Sequence, residues 1–313
     1  MKAMCLDESS ESPRLVETIL PQPQPGPGEV LVRVSAAGTI RTELGWYPTT
    51  HDKSGAPRHR AVPAHEFAGT VVALGEGVTD FMLSQQVYGM NDWYAEGSLA
   101  EYCLTTPFAI APAPMTLSAT QAATVPISAL TAWQGLFDRG HLHPGDRVLI
   151  HGGAGSVGLF AVQLANLHGA RVIATASGHD TIFANQLGAA QIIDYHSTKF
   201  EDVLTDPFDI IFDTVGGDML QRSLPLLKPG RFAITVSSTN ENSPDERVKN
   251  AFFIVKPNQR QLMEIAHWLD TSKLRTWIKA AIPLADATDA YTGNVKNAAG
   301  HGKIVVYIDQ APN

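Results

Sequence analysis

Hydrophobic positions along the chain fall into two textures. As far as about residue 122 the apolar runs are short and broken by glycine and proline. Alternate prolines in Pro21-Gln22-Pro23-Gln24-Pro25-Gly26-Pro27-Gly28 forbid a helix and favour an extended connector, which releases into residues 29–34. That stretch, with 67–74, 86–88 and 99–104, predicts strands in an irregular β domain. From about Gln121 longer apolar segments alternate with candidate strands, as in a parallel sheet with crossover helices. Six strands are predicted, over 147–151, 171–175, 191–194, 208–213, 231–236 and 251–255, a number that suits a doubly wound sheet. Val157, Phe160, Ala161, Leu164 and Ala165 recur at helical spacing and predict a helix over 156–168. After a further helix near 257–269, the segments 274–282 and 303–308 read as strands returning to the first domain. The expected division is residues 1–122 with 272–313 as one domain and 123–271 as an α/β domain.

Composition narrows the class. A chain of 313 residues accommodates two domains of roughly 100–200 residues. With 44% hydrophobic and 17% charged residues, a wholly disordered chain is excluded. The net charge of −8 argues against a general polyanion binder. Two cysteines, Cys5 and Cys103, make neither a disulfide framework nor a four-thiolate zinc site, so a reducing compartment is expected. Asp7 and Glu8 interrupt any export signal, and no apolar run approaches the roughly 18 residues that cross a bilayer. The expectation is a soluble, cytoplasmic protein without a membrane partner.

Immediately after the predicted strand 147–151 comes Gly152-Gly153-Ala154-Gly155-Ser156-Val157-Gly158, in which Gly153, Gly155 and Gly158 satisfy G-x-G-x-x-G. In that context the first glycine permits a tight turn, the second admits a pyrophosphate to the backbone, and the third lets helix pack on sheet. The helix start offers unpaired N–H groups and a positive dipole end to phosphate, so a dinucleotide is the expected ligand. Where an NAD site usually places an acid after the second strand, this chain has Ala174-Thr175-Ala176-Ser177-Gly178-His179. Ser177 is therefore expected to donate to a 2′-phosphate, helped by His179, Tyr195 or Lys199, which favours NADPH.

With these features stand Pro25-Gly26-Pro27-Gly28-Glu29-Val30-Leu31-Val32-Arg33-Val34, Gly69-Thr70-Val71-Val72-Ala73-Leu74-Gly75-Glu76-Gly77-Val78 and Leu130-Thr131-Ala132-Trp133. Phe212-Asp213-Thr214-Val215-Gly216-Gly217 and Gly302-Lys303-Ile304-Val305 complete the set. Together they resemble the medium-chain dehydrogenase/reductase family over nearly the whole chain, and within it the zinc-free quinone oxidoreductase (zeta-crystallin-like) branch. The resemblance implies a GroES-like irregular β-barrel domain, a Rossmann domain with a doubly wound parallel sheet, hydride transfer in the cleft between them, and a homodimer. Edge pairing near 232–236 is one route to that dimer.

The segment Pro63-Ala64-His65-Glu66-Phe67-Ala68-Gly69 resembles the His-Glu metal motif of zinc alcohol dehydrogenases. The other family ligand positions fall at Ile40 and within Val125-Pro126-Ile127-Ser128, which supply neither thiol nor imidazole, and catalytic zinc needs three protein ligands. No metal is expected, and His65 takes a hydrogen-bonded structural or substrate-cleft role. Where zinc-free members often carry Asn-Pro, this chain has Ile40-Arg41; Arg41 either binds an anionic substrate or pairs with Glu43 or Glu66.

The implied activity is NADPH-dependent hydride transfer to a small quinone or an α,β-unsaturated carbonyl, with hydrogen-bond donors stabilising the enolate-like oxyanion. Tyr47 is the first candidate for proton donation, beside Arg41 and His65. Thr131, Val215, Gly216, Phe253, Ile254 and Val255 resemble residues that line the nicotinamide. With the loop Gly153, Ala154, Gly155, Ser156, Val157 and Gly158, and with Ser177, His179, Tyr195 and Lys303, they form the expected cofactor set. Trp93 and Tyr94 offer an apolar wall for a flat acceptor, or ordinary packing. Two other functions fit the same architecture: an alcohol dehydrogenase with an atypical zinc site at His65 and Glu66, and a non-catalytic NADPH-bound sensor or RNA-binding protein. The acidic net charge weakens the last.

Overall fold

The computed structural model describes residues 1–7, 14–237, 245–296, 298 and 300–308. The chain divides into two units, Met1–Ile127 with Lys256–Ser272 and Thr276–Asn313, and Ser128–Val255 with Lys273–Arg275.

In the first unit β1 (Lys2–Leu6) and β2 (Leu15–Ile19) form an antiparallel pair. The larger sheet begins with β3 (Val30–Gly38), β4 (Glu66–Leu74), β5 (Gln86–Met90), β6 (Tyr102–Thr105) and β7 (Ile110–Pro112). In the second unit follow β8 (Arg147–His151), β9 (Arg171–Ala176), β10 (Gln191–Asp194), β11 (Phe208–Asp213) and β12 (Leu227–Thr235). The chain then returns to the first unit through β13 (Ile278–Pro283) and β14 (Lys303–Tyr307). The first unit's sheet runs β13-β14-β3-β4-β5-β7, with β6 also on β3.

Strand β3 is mostly buried, with Arg33 exposed, and contributes to two apolar clusters. Val30, Val32 and Val34 pack with Phe67, Val71, Phe81, Val87 and Ile110. Ala37, further along, packs with Leu44, Val62, Leu99, Tyr291 and Val306. Completely burying one side chain such as Phe67 contributes roughly 2–3 kcal/mol, so this core holds the irregular loops between strands in place.

The second unit's sheet runs β10-β9-β8-β11-β12, all parallel. In chain order that is 3-2-1-4-5, the doubly wound order, with its switch point between β8 and β11. Its central strands are continuous apolar runs, since helices cover both faces of such a sheet; Leu149, Ile173 and Ile211 pack with Leu220 and Leu224. At the amino end, Asp209 binds Lys228 and Arg231, and Arg231 also reaches Asp146. The carboxyl end carries the loops that hold the candidate site.

Two expectations change. The sheet has five strands rather than six, because 251–255 meets β12 only through Phe252 at its last residue, Thr235. That segment makes two backbone bonds with Thr235 and no further ladder before it reaches Pro257. The helix Gln259–Asp270, expected in the dinucleotide-binding domain, groups with the first unit. Its buried face of Leu262, Ile265, Ala266 and Leu269 is fixed there by Tyr88 Oη donating to the Leu262 carbonyl at 2.6 Å. Asp270 in turn accepts from the Thr116 amide and hydroxyl at 2.9 and 3.0 Å. Among the described residues no helix is long and apolar enough to cross a membrane.

Candidate active site

At the carboxyl edge of the parallel sheet the glycine loop makes its turn one residue earlier than the motif suggests. Gly152 has φ +76°, the left-handed region that glycine adopts without a Cβ penalty, whereas Gly153 does not. Gly153 serves close packing instead: a methyl there would fall 2.7 Å from the Ala174 side chain of β9. A methyl at Gly158 would fall 2.0 Å from the Gly152 carbonyl oxygen, so only glycine lets the helix Gly158–Leu167 start against the loop. Gly155 is exposed and opens the loop to solvent. The N–H groups of Ala154, Ser156, Val157 and Gly158 have no acceptor among the described residues. These are the donors a pyrophosphate would take, and the loop fits a dinucleotide.

A buried side-chain relay supports this loop. Ser223 donates to the Met219 carbonyl at 2.7 Å, so its oxygen is left to accept from His151 Nε2 at 2.8 Å. His151 Nδ1 then accepts from the Thr175 hydroxyl at 3.2 Å, and Thr175 Oγ1 accepts from the Gly152 amide at 3.2 Å. Each bond is satisfied by a neutral imidazole protonated on Nε2. Burial pulls the His151 pKa down to about 4; the Asp213 and Glu201 charges oppose that fall and Arg222 adds to it. Asp213, at the end of β11, caps the next turn: Oδ1 accepts from the Val215 and Gly216 amides at 2.9 and 3.0 Å, and Oδ2 from Thr235.

Most of the expected cofactor residues in this unit therefore follow strand carboxyl ends. The loop follows β8, Ser177 and His179 follow β9, Tyr195 follows β10, and Val215 and Gly216 follow β11. Phe253 is joined to the end of β12 by its amide bond to the Thr235 carbonyl, with Ile254 exposed and Val255 buried beyond it. His179 and Tyr195 are exposed, and Val215 is more than half exposed. Thr131 is buried on the helix Pro126–Trp133 and does not directly follow a strand.

The Ser177 hydroxyl donates to Asp180 Oδ2 at 2.5 Å, Asp180 being the first acid after the stretch 174–179. The pair spans three residues of a turn, where local side-chain bonds compete with other partners.

In the first unit the other candidates separate by burial. His65 is buried, with Nδ1 2.5 Å from Glu43 Oε1 and Nε2 donating to the Ala95 carbonyl at 3.1 Å. Glu43 Oε1 also accepts from the Ala64 amide at 3.0 Å. Beside this pair the buried Glu66 carboxylate takes the Lys303 ammonium on one oxygen and the Ile127 amide, at 2.9 Å, on the other. Burial pushes the Glu66 carboxyl up while Lys303 pulls it back, and the net direction is up. Burial, with the Glu43 and Glu66 charges, drives the neighbouring Tyr291 phenol well above its ordinary range.

Lys303, expected against the cofactor, thus has its ammonium committed to Glu66. Arg41 pairs with neither Glu43 nor Glu66 and is exposed beside Gly293; Glu43 Oε2 stays buried without a hydrogen-bond partner among the described residues. Tyr47 is 54% exposed, stacked on His51 at 4.2 Å and 4°, and its hydroxyl has no hydrogen-bond partner among the described residues. Trp93 is packed rather than open, edge-on to Trp46 and tilted over His65.

Comparison with known proteins places the chain. Residues 26–115 match the alcohol dehydrogenase GroES-like domain, and residues 187–306 match the zinc-binding dehydrogenase family. A quinone oxidoreductase structure from Coxiella burnetii is 30% identical with a TM-score of 0.87, covering 99% of this chain and 99% of its own. The 2-methylene-furan-3-one reductase of Solanum lycopersicum is 30% identical over 89% of this chain and 71% of its own length. The chain belongs to the medium-chain dehydrogenase/reductase superfamily. It is an oxidoreductase of that superfamily's NAD(P)H-dependent kind. Also similar is the mitochondrial NAD(P)H oxidoreductase RTN4IP1 of Danio rerio, 28% identical over 90% of this chain and 84% of its own.

The zinc that one family description carries does not fit the donor set of this superfamily member. Among the described residues no group of three or more His, Cys, Asp or Glu is arranged to hold a metal. Ile40 offers no ligand atom, both nitrogens of His65 are engaged, and both oxygens of Glu66 are occupied.

Proposed function

We propose that this protein is a reductase that passes hydride from a nicotinamide nucleotide to a quinone or an α,β-unsaturated carbonyl, with no metal in the step. One observation carries the reading: an ordered phosphate loop exists in a chain whose family metal position is filled by Ile40, a Glu43–His65 pair and a Glu66–Lys303 pair. When bound, the dihydronicotinamide supplies the hydride. The amides of Ala154, Ser156, Val157 and Gly158 would bind and orient the pyrophosphate, and Asp213 holds the Val215-Gly216 turn in one conformation.

This donor set provides no Lewis acid of the kind that polarises an isolated ketone in metal-dependent hydride transfer. A conjugated acceptor spreads the incoming charge onto an enolate-like oxygen that hydrogen-bond donors can stabilise. Tyr47 is the proposed proton donor, because its phenol is exposed and lacks a competing partner among the described residues. His65 and Glu43 act beneath the surface, fixing the Ala64 and Ala95 backbone on which that part of the unit rests.

Ser177 alone favours NADPH, but the Asp180 carboxylate on its hydroxyl weighs the other way. The test is nicotinamide oxidation by purified protein across quinones, enones, alkenals, simple ketones and alcohols. Turnover confined to quinones or activated alkenes supports the reading, with Tyr47→Phe lowering kcat about 100-fold. Zinc-dependent turnover of simple alcohols and ketones alone would overturn it.

A further inference from the structure

We infer that His51 is the positioning residue for the Tyr47 phenol, backing its ring so that the hydroxyl keeps one direction as it gives up its proton. The inference rests on the proton-donor reading above and names the side chain that aims the donor. Tyr47 opens a single helical turn, Tyr47–Thr50, and is half exposed with no hydrogen bond on its hydroxyl among the described residues. A tyrosine so placed has three staggered χ1 wells open to it, and a contact on the ring must choose among them.

The segment 50–58 supplies that contact. The His51 imidazole lies flat on the Tyr47 ring, centroids 4.2 Å apart and planes 4° from parallel. Its own place is fixed: His51 Nδ1 and Thr50 Oγ1 share a hydrogen bond of 2.9 Å, and the His51 amide donates to the Tyr47 carbonyl at 2.8 Å. The segment then doubles back, with His51 bridging Pro57, the Asp52 amide donating to the Ala56 carbonyl at 2.9 Å and the Arg58 amide to the Thr50 carbonyl at 2.8 Å. Asp52 Oδ1 gathers the Ser54 and Ala56 amides at 2.8 and 3.0 Å and tightens the turn. Gly55, at φ +86°, lies by the hydroxyl, since a methyl there would fall 3.3 Å from Tyr47 Oη.

The doubled-back segment is anchored to the first unit. The Arg58 side chain, only 8% exposed, donates to the Pro48 carbonyl at 2.9 Å and the Ala95 carbonyl at 3.1 Å and pairs with Glu96 at 2.6 Å. The Ala95 carbonyl is the one that accepts from His65 Nε2, and Trp93, two residues earlier, is edge-on to Trp46. Both chain neighbours of Tyr47 are therefore held. Those bonds fix backbone, whereas His51 fixes the ring. A donor displaced by about 1 Å loses much of its rate, so releasing the ring among three wells is expected to cost about 10-fold.

The experiment follows nicotinamide oxidation by the full chain with methyl vinyl ketone as acceptor, for His51→Ala, His51→Phe and each of these combined with Tyr47→Phe. His51→Ala is expected to lower kcat about 10-fold with KM for the ketone and nucleotide affinity unchanged, because only the aim of the donor is lost. His51→Phe keeps a flat ring on Tyr47 and should stay within about threefold of wild type. In the Tyr47→Phe background His51→Ala should change kcat by less than about twofold, since no donor remains to be aimed. A loss that persists undiminished in that background, a His51→Phe as slow as His51→Ala, or a His51→Ala at the wild-type rate overturns the inference and leaves the proton-donor reading intact. No turnover by wild type, or Tyr47→Phe at the wild-type rate, overturns the inference together with the reading it rests on. Magnetisation transfer between the His51 and Tyr47 ring protons, measured on unaltered protein with labelled histidine and tyrosine, stands if a variant fails to fold; its presence supports the stack and its absence overturns the inference.

Discussion

Protonating His151 should weaken the fold by an amount the relay sets. The imidazole is buried at the end of β8, and its two nitrogens fit only the neutral ring between Ser223 and Thr175. An exposed histidine in the unfolded chain titrates near 6.5, whereas burial lowers the folded value to about 4. Between those values the unfolded chain holds the extra proton, so stability falls as pH drops through that window and is unaffected above it. The full difference is about 3 kcal/mol, of which about 2.5 is lost by about pH 4.5. Asp213, Glu201 and Arg222 act on the same ring and are all retained in the variant His151→Gln. The assay is urea unfolding followed by circular dichroism from about pH 7.5 to 4.5, comparing slopes because loss of the relay bonds shifts the variant by a constant. Wild type should lose about 2 kcal/mol more across the range than His151→Gln. Parallel curves for the two proteins would refute the neutral buried relay.

Two further outcomes follow from packing and charge. Lys303→Met leaves the buried Glu66 carboxylate without its cation, a loss of about 3–5 kcal/mol, while pairing it with Glu66→Gln should recover most of that; thermal unfolding of the single and double variants measures both. Gly158→Ala forces a methyl into the Gly152 carbonyl, costing about 1–3 kcal/mol and weakening nucleotide binding about 10-fold, measured by calorimetry.

What sequence reveals here depends on how local each constraint is. The five parallel strands and the helix after the glycine loop are written in contiguous apolar runs, and their limits agree with the observed ones to within a few residues. The segment 251–255 has the same apolar signal, yet partner geometry rather than composition decides whether a strand forms, and only Thr235 was available. Gly152 was hidden by its neighbour, because the motif fits Gly153 and only the backbone shows which glycine is left-handed. Asp180 was within reach of sequence reasoning, as a serine followed three residues later by an acid in a turn is a common local bond. The Glu43–His65 and Glu66–Lys303 pairs were not, since the partners lie 22 and 237 residues apart and meet only after the sheet forms.

Deuterium tracing tests the central claim most directly. A reduced nicotinamide carrying deuterium at the transferring position is incubated with the protein and an enone, and the saturated product is analysed by mass spectrometry and proton resonance. The account predicts one deuterium at the carbon β to the carbonyl and a solvent-derived proton at the α carbon. Product lacking deuterium at that carbon, or deuterium on a carbinol carbon with the alkene intact, would contradict it.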